Sequence, residues 1–409
     1  MPILGLKSLG PTHPPHFSLE PLIRPNILAL QPYRCARDDY DSGILLDANE
    51  NAIGPSLPFL LFDTSSEPSK VNGSNNVGLT LSELESLNRY PSPTHDDLKR
   101  RIASFRGVPN EDWVFLGVGS DEVVDLLFRV LCVPGKDRVL VTPPTYGMYK
   151  VCAAMNDVGV VSVPLITEGG KFQLDEEKLE EAFIKYPEMK MIFICSPNNP
   201  TATLIPIPVI RRIAENKKFK GVVVVDEAYI DFAPEGSSAV GLVKEFGNVC
   251  VTQTLSKGFG LAGIRLGYLI APPPLIQILT NTKAPYNVSV PTASLALSAL
   301  SKEGIALMSS SVQTLNKNRS RLIDSLKSIK GIGGIIGGNH SNFIMAQIVS
   351  DGKADNVKAA KVYKEMAEEK GVVVRFRGNE LGCEGCLRIT VGTEEECQVA
   401  VDRLKELLE

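Results

Sequence analysis

The sequence predicts an α/β fold: a large domain with a mostly parallel sheet sandwiched by helices, plus a smaller α/β domain. Two observations carry this. Between residues 138 and 270, short and nearly continuous apolar runs alternate with stretches apolar at helical spacing, the pattern of buried parallel strands with helices on both faces. Past residue 295 the character changes to long helices followed by a few shorter strands, which marks a second unit. A chain of 409 residues is also longer than a single core usually grows.

The first 30 residues read as an extended arm, too rich in proline for a helix. Residues 55 to 80 concentrate proline, serine, glycine and asparagine and read as an exposed loop or insertion. Asp121 to Leu131 is amphipathic, with Val123, Val124, Leu126, Leu127, Val130 and Leu131 on one side. The strands expected next are Arg138–Thr142, Val158–Val163, Met191–Cys195, Val222–Val225, Asn248–Thr252 and Leu266–Ile270, with helices over Asp175–Phe183 and Val209–Asn216. The second unit is expected to hold strands Asn342–Ala346, Val372–Arg375 and Leu387–Val391, and a final helix from Glu394 to Leu408. The expected division is an arm at 1–30, a large domain at 90–295, and a discontinuous small domain from 31–89 and 296–409.

Composition narrows the function. Apolar residues at 44% and charged residues at 22% are ordinary for a soluble enzyme. A net charge of -4 with no basic run gives no footprint for nucleic acid. No apolar run is long enough to cross a bilayer, and the proline-rich start is neither a secretory signal nor a transit peptide, so a cytoplasmic location is expected. The eight cysteines are scattered, several within apolar runs, as buried thiols would be. Cys383 and Cys386 form one CxxC, but no second pair or paired histidines stand at metal spacing, so no metal is expected.

In open α/β sheets ligands collect at the carboxyl ends of the strands, and there the unusual residues fall. One expected strand runs into Ser196-Pro197-Asn198-Asn199-Pro200-Thr201, the next ends at Asp226-Glu227-Ala228-Tyr229, and a third leads to Thr254-Leu255-Ser256-Lys257-Gly258. An amide, a carboxylate and a lysine on one rim suit a pyridine aldehyde: the amine forms a Schiff base, the carboxylate keeps the ring nitrogen protonated, and the amide bonds the phenolic oxygen. Singly, Lys257 reads as a solvated loop lysine, Asp226 as an N-cap and Asn198 as a turn residue; together on one rim they read as chemistry. Gly117-Val118-Gly119-Ser120-Asp121 opens a helix whose free amides can receive an anion, or is simply capped by Ser120 or Asp121. Arg265 could clamp the same anion, and Tyr146 could stack on a flat ring; a surface arginine and ordinary packing are the plain alternatives.

The segments SPNNPT (Ser196–Thr201), DEAY (Asp226–Tyr229), TLSKGFGLAGIRLGY (Thr254–Tyr268) and LRITVG (Leu387–Gly392) resemble the aminotransferases of pyridoxal-phosphate fold type I. With LDANEN (Leu46–Asn51), NRYPSP (Asn88–Pro93), GVGSDE (Gly117–Glu122) and TPPTYGMY (Thr142–Tyr149), the chain is similar in consistent order to the histidinol-phosphate aminotransferase family. The resemblance implies pyridoxal 5'-phosphate bound to Lys257, which also moves a proton during turnover. Asp226 would pair with the pyridine nitrogen, Asn198 and Tyr229 with the phenolic oxygen, and Tyr146 would cover the ring. Amides at Ser120 and Asp121, with Ser256, Arg265 and Tyr90 from a second subunit, would hold the cofactor phosphate, which implies a homodimer. Arg388 would bind the glutamate carboxylate and Arg375 the substrate phosphate, with Tyr33 and Asn49 closing the site. The implied substrates are L-histidinol phosphate and glutamate or 2-oxoglutarate. An aromatic or other amino-acid aminotransferase and a threonine-phosphate decarboxylase would share most of these residues. A non-catalytic domain attached to a regulator is disfavoured by the completeness of the set and the lack of a DNA-binding extension. One departure stands out: Ala202 occupies a turn position where the family has glycine, and positive φ suits alanine poorly.

Overall fold

The computed structural model describes residues 3–31 and 87–409. Its large sheet has seven strands: β1 (Val114–Val118), β2 (Arg138–Val141), β3 (Gly159–Ser162), β4 (Met189–Cys195), β5 (Val222–Asp226), β6 (Val249–Thr254) and β7 (Leu266–Ile270). They lie in the order β1-β7-β6-β5-β4-β2-β3. β2 to β6 pair in parallel, and β7 is antiparallel to both β6 and β1. The expected strands are present within two or three residues of their bounds. β1 was missed, because its sequence Val-Phe-Leu-Gly-Val runs straight into the glycine loop and reads as an approach to the helix.

Strand periodicity divides the sheet between two cores. Leu140, Ile192, Ile194, Val223, Val225, Val249, Val251 and Tyr268 face one core, completed by helices Asp96–Arg106, Glu176–Lys185 and Ile207–Glu215. Val139, Val141, Met191, Phe193, Val222, Val224, Cys250 and Leu269 face the other, covered by Gly119–Leu131, Met148–Met155 and Pro273–Thr282. The strands read as continuous apolar runs because both faces are buried. The N-terminal segment is not uniformly extended. It makes a 3-10 turn at Glu20–Leu22 and one helical turn at Pro25–Leu28, where proline sits at a tolerated first position. Ile3, Leu19, Ile23 and Ile27 are buried in the second core.

A second sheet joins β8 (Ile332–Ile336), β9 (Phe343–Ser350), β10 (Lys353–Ala354), β11 (Arg375–Phe376) and β12 (Cys386–Thr390). Helices Lys302–Lys327, Asn356–Glu368 and Glu394–Leu408 bury Leu322, Val362 and Leu404 against it. The last helix starts with a capping box in which Thr393 and Glu396 satisfy each other's backbone amides. The strand expected at Val372–Arg375 begins only at Arg375. Val372 N–H bonds back to Met366 O, closing the preceding helix, and Val373 is exposed, so the β-branched run leaves the helix before it can join the sheet. Ala202, Tyr229, Phe232, Val312 and Phe343 form a small cluster shared between the two layers of structure. Ala202 holds φ +54° and is fully buried, so the turn does require the left-handed conformation that the sequence put in question.

Two close approaches fix the rim of the large sheet. A Cβ at Gly267 in β7 would lie 2.2 Å from Ser120 N, so only glycine lets β7 run against the start of helix Gly119–Leu131. Glu227, directly after β5, is fully buried and accepts from Ser238 Oγ (2.7 Å), Ala239 N (2.5 Å) and Gln253 Nε2 (2.8 Å). Burial outweighs these donors and pushes its carboxyl up to about 7. Gly267→Ala is expected to lower the unfolding free energy by about 1–3 kcal/mol, read by urea titration. A carboxyl raised in the folded state stabilises below its unfolded value and loses that contribution as pH rises through about 7. Glu227→Gln should therefore gain on the wild type by up to about 3 kcal/mol between pH 5 and 8, whatever its absolute stability. A pH-independent difference between the two unfolding curves would contradict this.

Candidate active site

The carboxyl ends of β4, β5 and β6 stand side by side. Cys195 is level with Asp226, and Asp226 with Thr252, so the loops that follow open onto one rim. β1 is antiparallel to β7 and so points to this rim as well, while reversed β7 starts there; Gly119 follows the one and Arg265 precedes the other. A cavity of about 310 Å³ lies at this place, and its walls include Ser120, Asp121, Tyr146, Asp226, Tyr229, Ser256, Lys257, Arg265 and Arg388. Nine of the residues singled out in the sequence thus meet in one space.

Lys257 Nζ stands 5.6 Å from the centre of the Tyr229 ring. Burial first, then the charge of Arg388, lowers its ammonium from the ordinary lysine value, which favours the nucleophilic amine. Asp226 is 4% exposed and accepts from Tyr149 Oη (2.6 Å) and from Ala228 N (3.2 Å). Burial raises its carboxyl against both hydrogen bonds, so a cation brought against it would favour the charged form. Tyr229 packs edge-on against Phe343 at 5.1 Å, and its hydroxyl is raised mainly by burial. Tyr146 donates to Asp121 Oδ1 (3.0 Å) and stands edge-on to Tyr149.

The start of helix Gly119–Leu131 is shaped by backbone as well as side chains. Gly119 has φ +73°, and a Cβ there would lie 2.5 Å from Arg265 Nη2, so the missing side chain makes room for the guanidinium over the helix start. Arg265 itself takes the left-handed conformation (φ +53°), and Gly119 N–H donates to its carbonyl (2.9 Å). Ser256 Oγ lies 2.9 Å from Thr254 Oγ1. Free amides at a helix N-terminus, a hydroxyl and a guanidinium form an anion site. With a lysine amine, a buried carboxylate that has no ion pair among the described residues, and a tyrosine ring in the same cavity, the residues present fit a phosphorylated pyridine aldehyde.

Three of the other expected residues, Asn198, Arg375 and Tyr90, lie apart from the cavity wall. Asn198 is buried and donates from Nδ2 to Pro144 O (2.9 Å); its Oδ1 has no partner among the described residues. Its neighbour Asn199 does line the cavity and accepts from Arg388 Nη1 (2.6 Å). Arg375 is exposed in β11, level with Arg388 in the ladder, while Arg377 two residues on reaches the cavity. Tyr90 is 53% exposed and stacks on Tyr286 with ring centres 4.6 Å apart, outside the cavity of its own chain. Tyr33 and Asn49 lie outside the described residues.

Sequence reasoning missed Tyr149, Asn199 and Arg377. Each carried a faint signal: Tyr149 stands one turn after Tyr146, Asn199 follows Asn198, and Arg377 shares strand parity with Arg375. Cys383 and Cys386 are buried free thiols in the first core, and burial raises both, Cys386 to about 12. Among the described residues no cluster suits a metal ion, and no helix is long and apolar enough to cross a membrane.

Comparisons with known proteins identify the family and the fold. The family model for aminotransferase class I and II matches residues 61–404. The histidinol-phosphate aminotransferase of Schizosaccharomyces pombe is 44% identical, over 96% of this chain and 98% of its own. Among solved structures, the histidinol-phosphate aminotransferase of Sinorhizobium meliloti in complex with pyridoxal-5'-phosphate superposes with a TM-score of 0.71, at 21% identity, over 88% of this chain and 89% of that one. The L-threonine-O-3-phosphate decarboxylase of Porphyromonas gingivalis superposes at 0.64 with 20% identity, over 80% and 93%. These two likenesses show the fold alone and do not separate transaminase from decarboxylase; the near-full-length sequence identity does. The chain belongs to the class I and II aminotransferases and, within them, to the histidinol-phosphate aminotransferase family.

Proposed function

We propose that this chain transfers the amino group of L-histidinol phosphate to 2-oxoglutarate, giving imidazole acetol phosphate and glutamate in histidine biosynthesis, with pyridoxal 5'-phosphate as its cofactor. The observation that carries the proposal is the meeting of Lys257, Asp226, Arg265 and Arg388 in one cavity. When bound, the cofactor supplies the electron sink that lets a Cα–H bond break.

The chain's own residues do the rest. Lys257 Nζ, lowered by burial and by Arg388, is a base able to take a proton from Cα and return it. Asp226, steadied by Tyr149 Oη, would hold a proton on the ring nitrogen. Tyr229 Oη and Asn198 would bond the phenolic oxygen, and Tyr146 would lie over the ring. Ser120, Asp121, Ser256 and Arg265 would hold the cofactor phosphate, joined by Tyr90 of a second copy. Its exposure outside its own chain's cavity supports such a homodimer. Arg388 would fork the Cα carboxylate of glutamate, with Tyr33 and Asn49 closing over the substrate and Arg375 near its phosphate. A cytoplasmic location accords with the reading. Threonine-phosphate decarboxylation would need the same anion sites, and carbon dioxide release without keto-acid consumption would mark it.

Purified enzyme mixed with L-histidinol phosphate, without keto acid, should lose its visible cofactor absorbance in one turnover and regain it on addition of 2-oxoglutarate. Absorbance unmoved by histidinol phosphate but bleached by another amino donor would discard the substrate. Lys257→Ala should lower turnover by a factor of about 10³ to 10⁴ while leaving the unfolding curve in place. Retained activity would discard the mechanism.

A further inference from the structure

Helix Asp96–Arg106 ends outside the cavity, yet its last two residues reach the loop that carries Lys257. Arg106 donates from Nε to Tyr268 Oη of β7 at 3.0 Å, and from Nη2 to Asp231 Oδ1 at 2.8 Å. The Asp231 side chain is 5% exposed and that of Arg106 15%, so the ion pair is held away from water. Asp231 in turn packs on Gly258. A Cβ at Gly258 would lie 2.5 Å from Asp231 Oδ2 and 2.6 Å from its Cβ, so only glycine lets the two approach. Phe105 meets Phe259 edge-on at 5.7 Å, and the Arg106 guanidinium lies 4.2 Å from the centre of the Phe105 ring. The two residues that follow Lys257 are thus each backed by one side chain, and Arg106 touches both supports.

A buried ion pair adds little net stability, because desolvation of both charges offsets their attraction. What a guanidinium bonded through two nitrogens does supply is fixed direction, since its donors lie in one rigid plane. Here that direction passes through one contact to Gly258, next to the backbone from which the Lys257 side chain extends. The loop's own bonds close it on itself: Gly260 N–H donates to Lys257 O (3.0 Å) and Leu261 N–H to Leu255 O (3.0 Å). Its place against the neighbouring loop is set by Asp231, which follows Tyr229. We infer that Arg106 and Asp231 are positioning residues, holding the Lys257 amine where it meets the cofactor aldehyde and the donor's Cα proton. The inference rests on the role given to Lys257 above. Both encounters depend steeply on approach, and a misplacement of about 1 Å can cost about a hundredfold in rate. The amine's charge is governed from other places, by burial first and then by Arg388, Asp121, Arg265 and Asp226. The pair therefore acts on where the amine stands.

Apoenzyme mixed with pyridoxal 5'-phosphate tests this without turnover, through the rate at which the visible absorbance appears. Arg106→Gln should slow that rate by about tenfold or more. Pyridoxamine 5'-phosphate, which has no aldehyde for Lys257 to meet, should bind within about twofold of wild type. In the loaded enzyme, the half-reactions with L-histidinol phosphate and with glutamate should slow by the same factor, with dissociation constants unchanged. Deuterium at the donor Cα should slow them by a larger factor than in wild type, because proton transfer limits them more. Arg106→Lys keeps the charge without the two-armed bond and should recover part of the loss. Phe105→Leu removes the ring against Phe259, leaves every charge in place, and should show a smaller slowing of the same kind. A variant that is only partly unfolded would lose amplitude, with its rates and isotope effect unaltered. That result, unequal losses for the two donors, or weakened pyridoxamine phosphate would overturn the inference. Wild-type apoenzyme that captures pyridoxal phosphate no faster than Lys257→Ala would overturn the reading of Lys257 and this inference together. Wild-type capture matched by all three variants would sink the inference alone.

Discussion

The parallel register of β4, β5 and β6 is the constraint on which the rest depends. Because Cys195, Asp226 and Thr252 stand level across three neighbouring strands, the loops beyond them must leave the sheet at one edge. Backbone amides at those strand ends have no further ladder partners, and side chains there escape the apolar layers above and below. The single reversed strand completes the arrangement. β7 begins where the others end, so Arg265 stands over the start of helix Gly119–Leu131, and Gly267 lets the strand and that helix touch.

The same edge sets the electrostatics. Lys257 is half-buried, Asp226 almost wholly so, and each is displaced from its ordinary value mainly by loss of water. Neither shift suits a solvated surface group, since each weakens the charged form. Both suit a site completed by a ligand: a cation against Asp226, an anion under Arg265 and an electrophile in front of Lys257. Tyr149 is the support the motif did not advertise. Its hydroxyl bonds Asp226 while its ring stacks on Phe193 at 4.7 Å, tying the carboxylate to the packed face of the sheet.

The second sheet supplies another part of the cavity wall. Phe343 of β9 meets the Tyr229 ring edge-on and lies under the Arg388 guanidinium, so one aromatic side chain relates the large sheet's rim to the arginine of the small one. Asn199, from the β4 loop, joins the two from the other direction by accepting from Arg388. The cationic side chains of the cavity therefore come from both sheets.

By itself the sequence determined six of the large sheet's seven strands in chain order, because burial on both faces writes an unbroken apolar run that few other structures need. It also determined the chemistry of the rim, since a lysine, a carboxylate and an amide follow three successive apolar runs. β1 escaped because a five-residue strand that holds a glycine and runs straight into the next helix has no period to read. Residues 372–374 were misplaced because β-branched residues signal a strand even where the chain is still closing a helix. What only the tertiary structure decided is which members of a motif turn inward. Asn199 rather than Asn198 lines the cavity, Arg377 rather than Arg375 reaches it, and Tyr149 grips Asp226. Neighbouring residues in a loop, or residues two apart on a strand, look alike in sequence. Their separation depends on where a strand ends, how the sheet twists and which carboxylate waits across the gap, and those are properties of distant segments brought together.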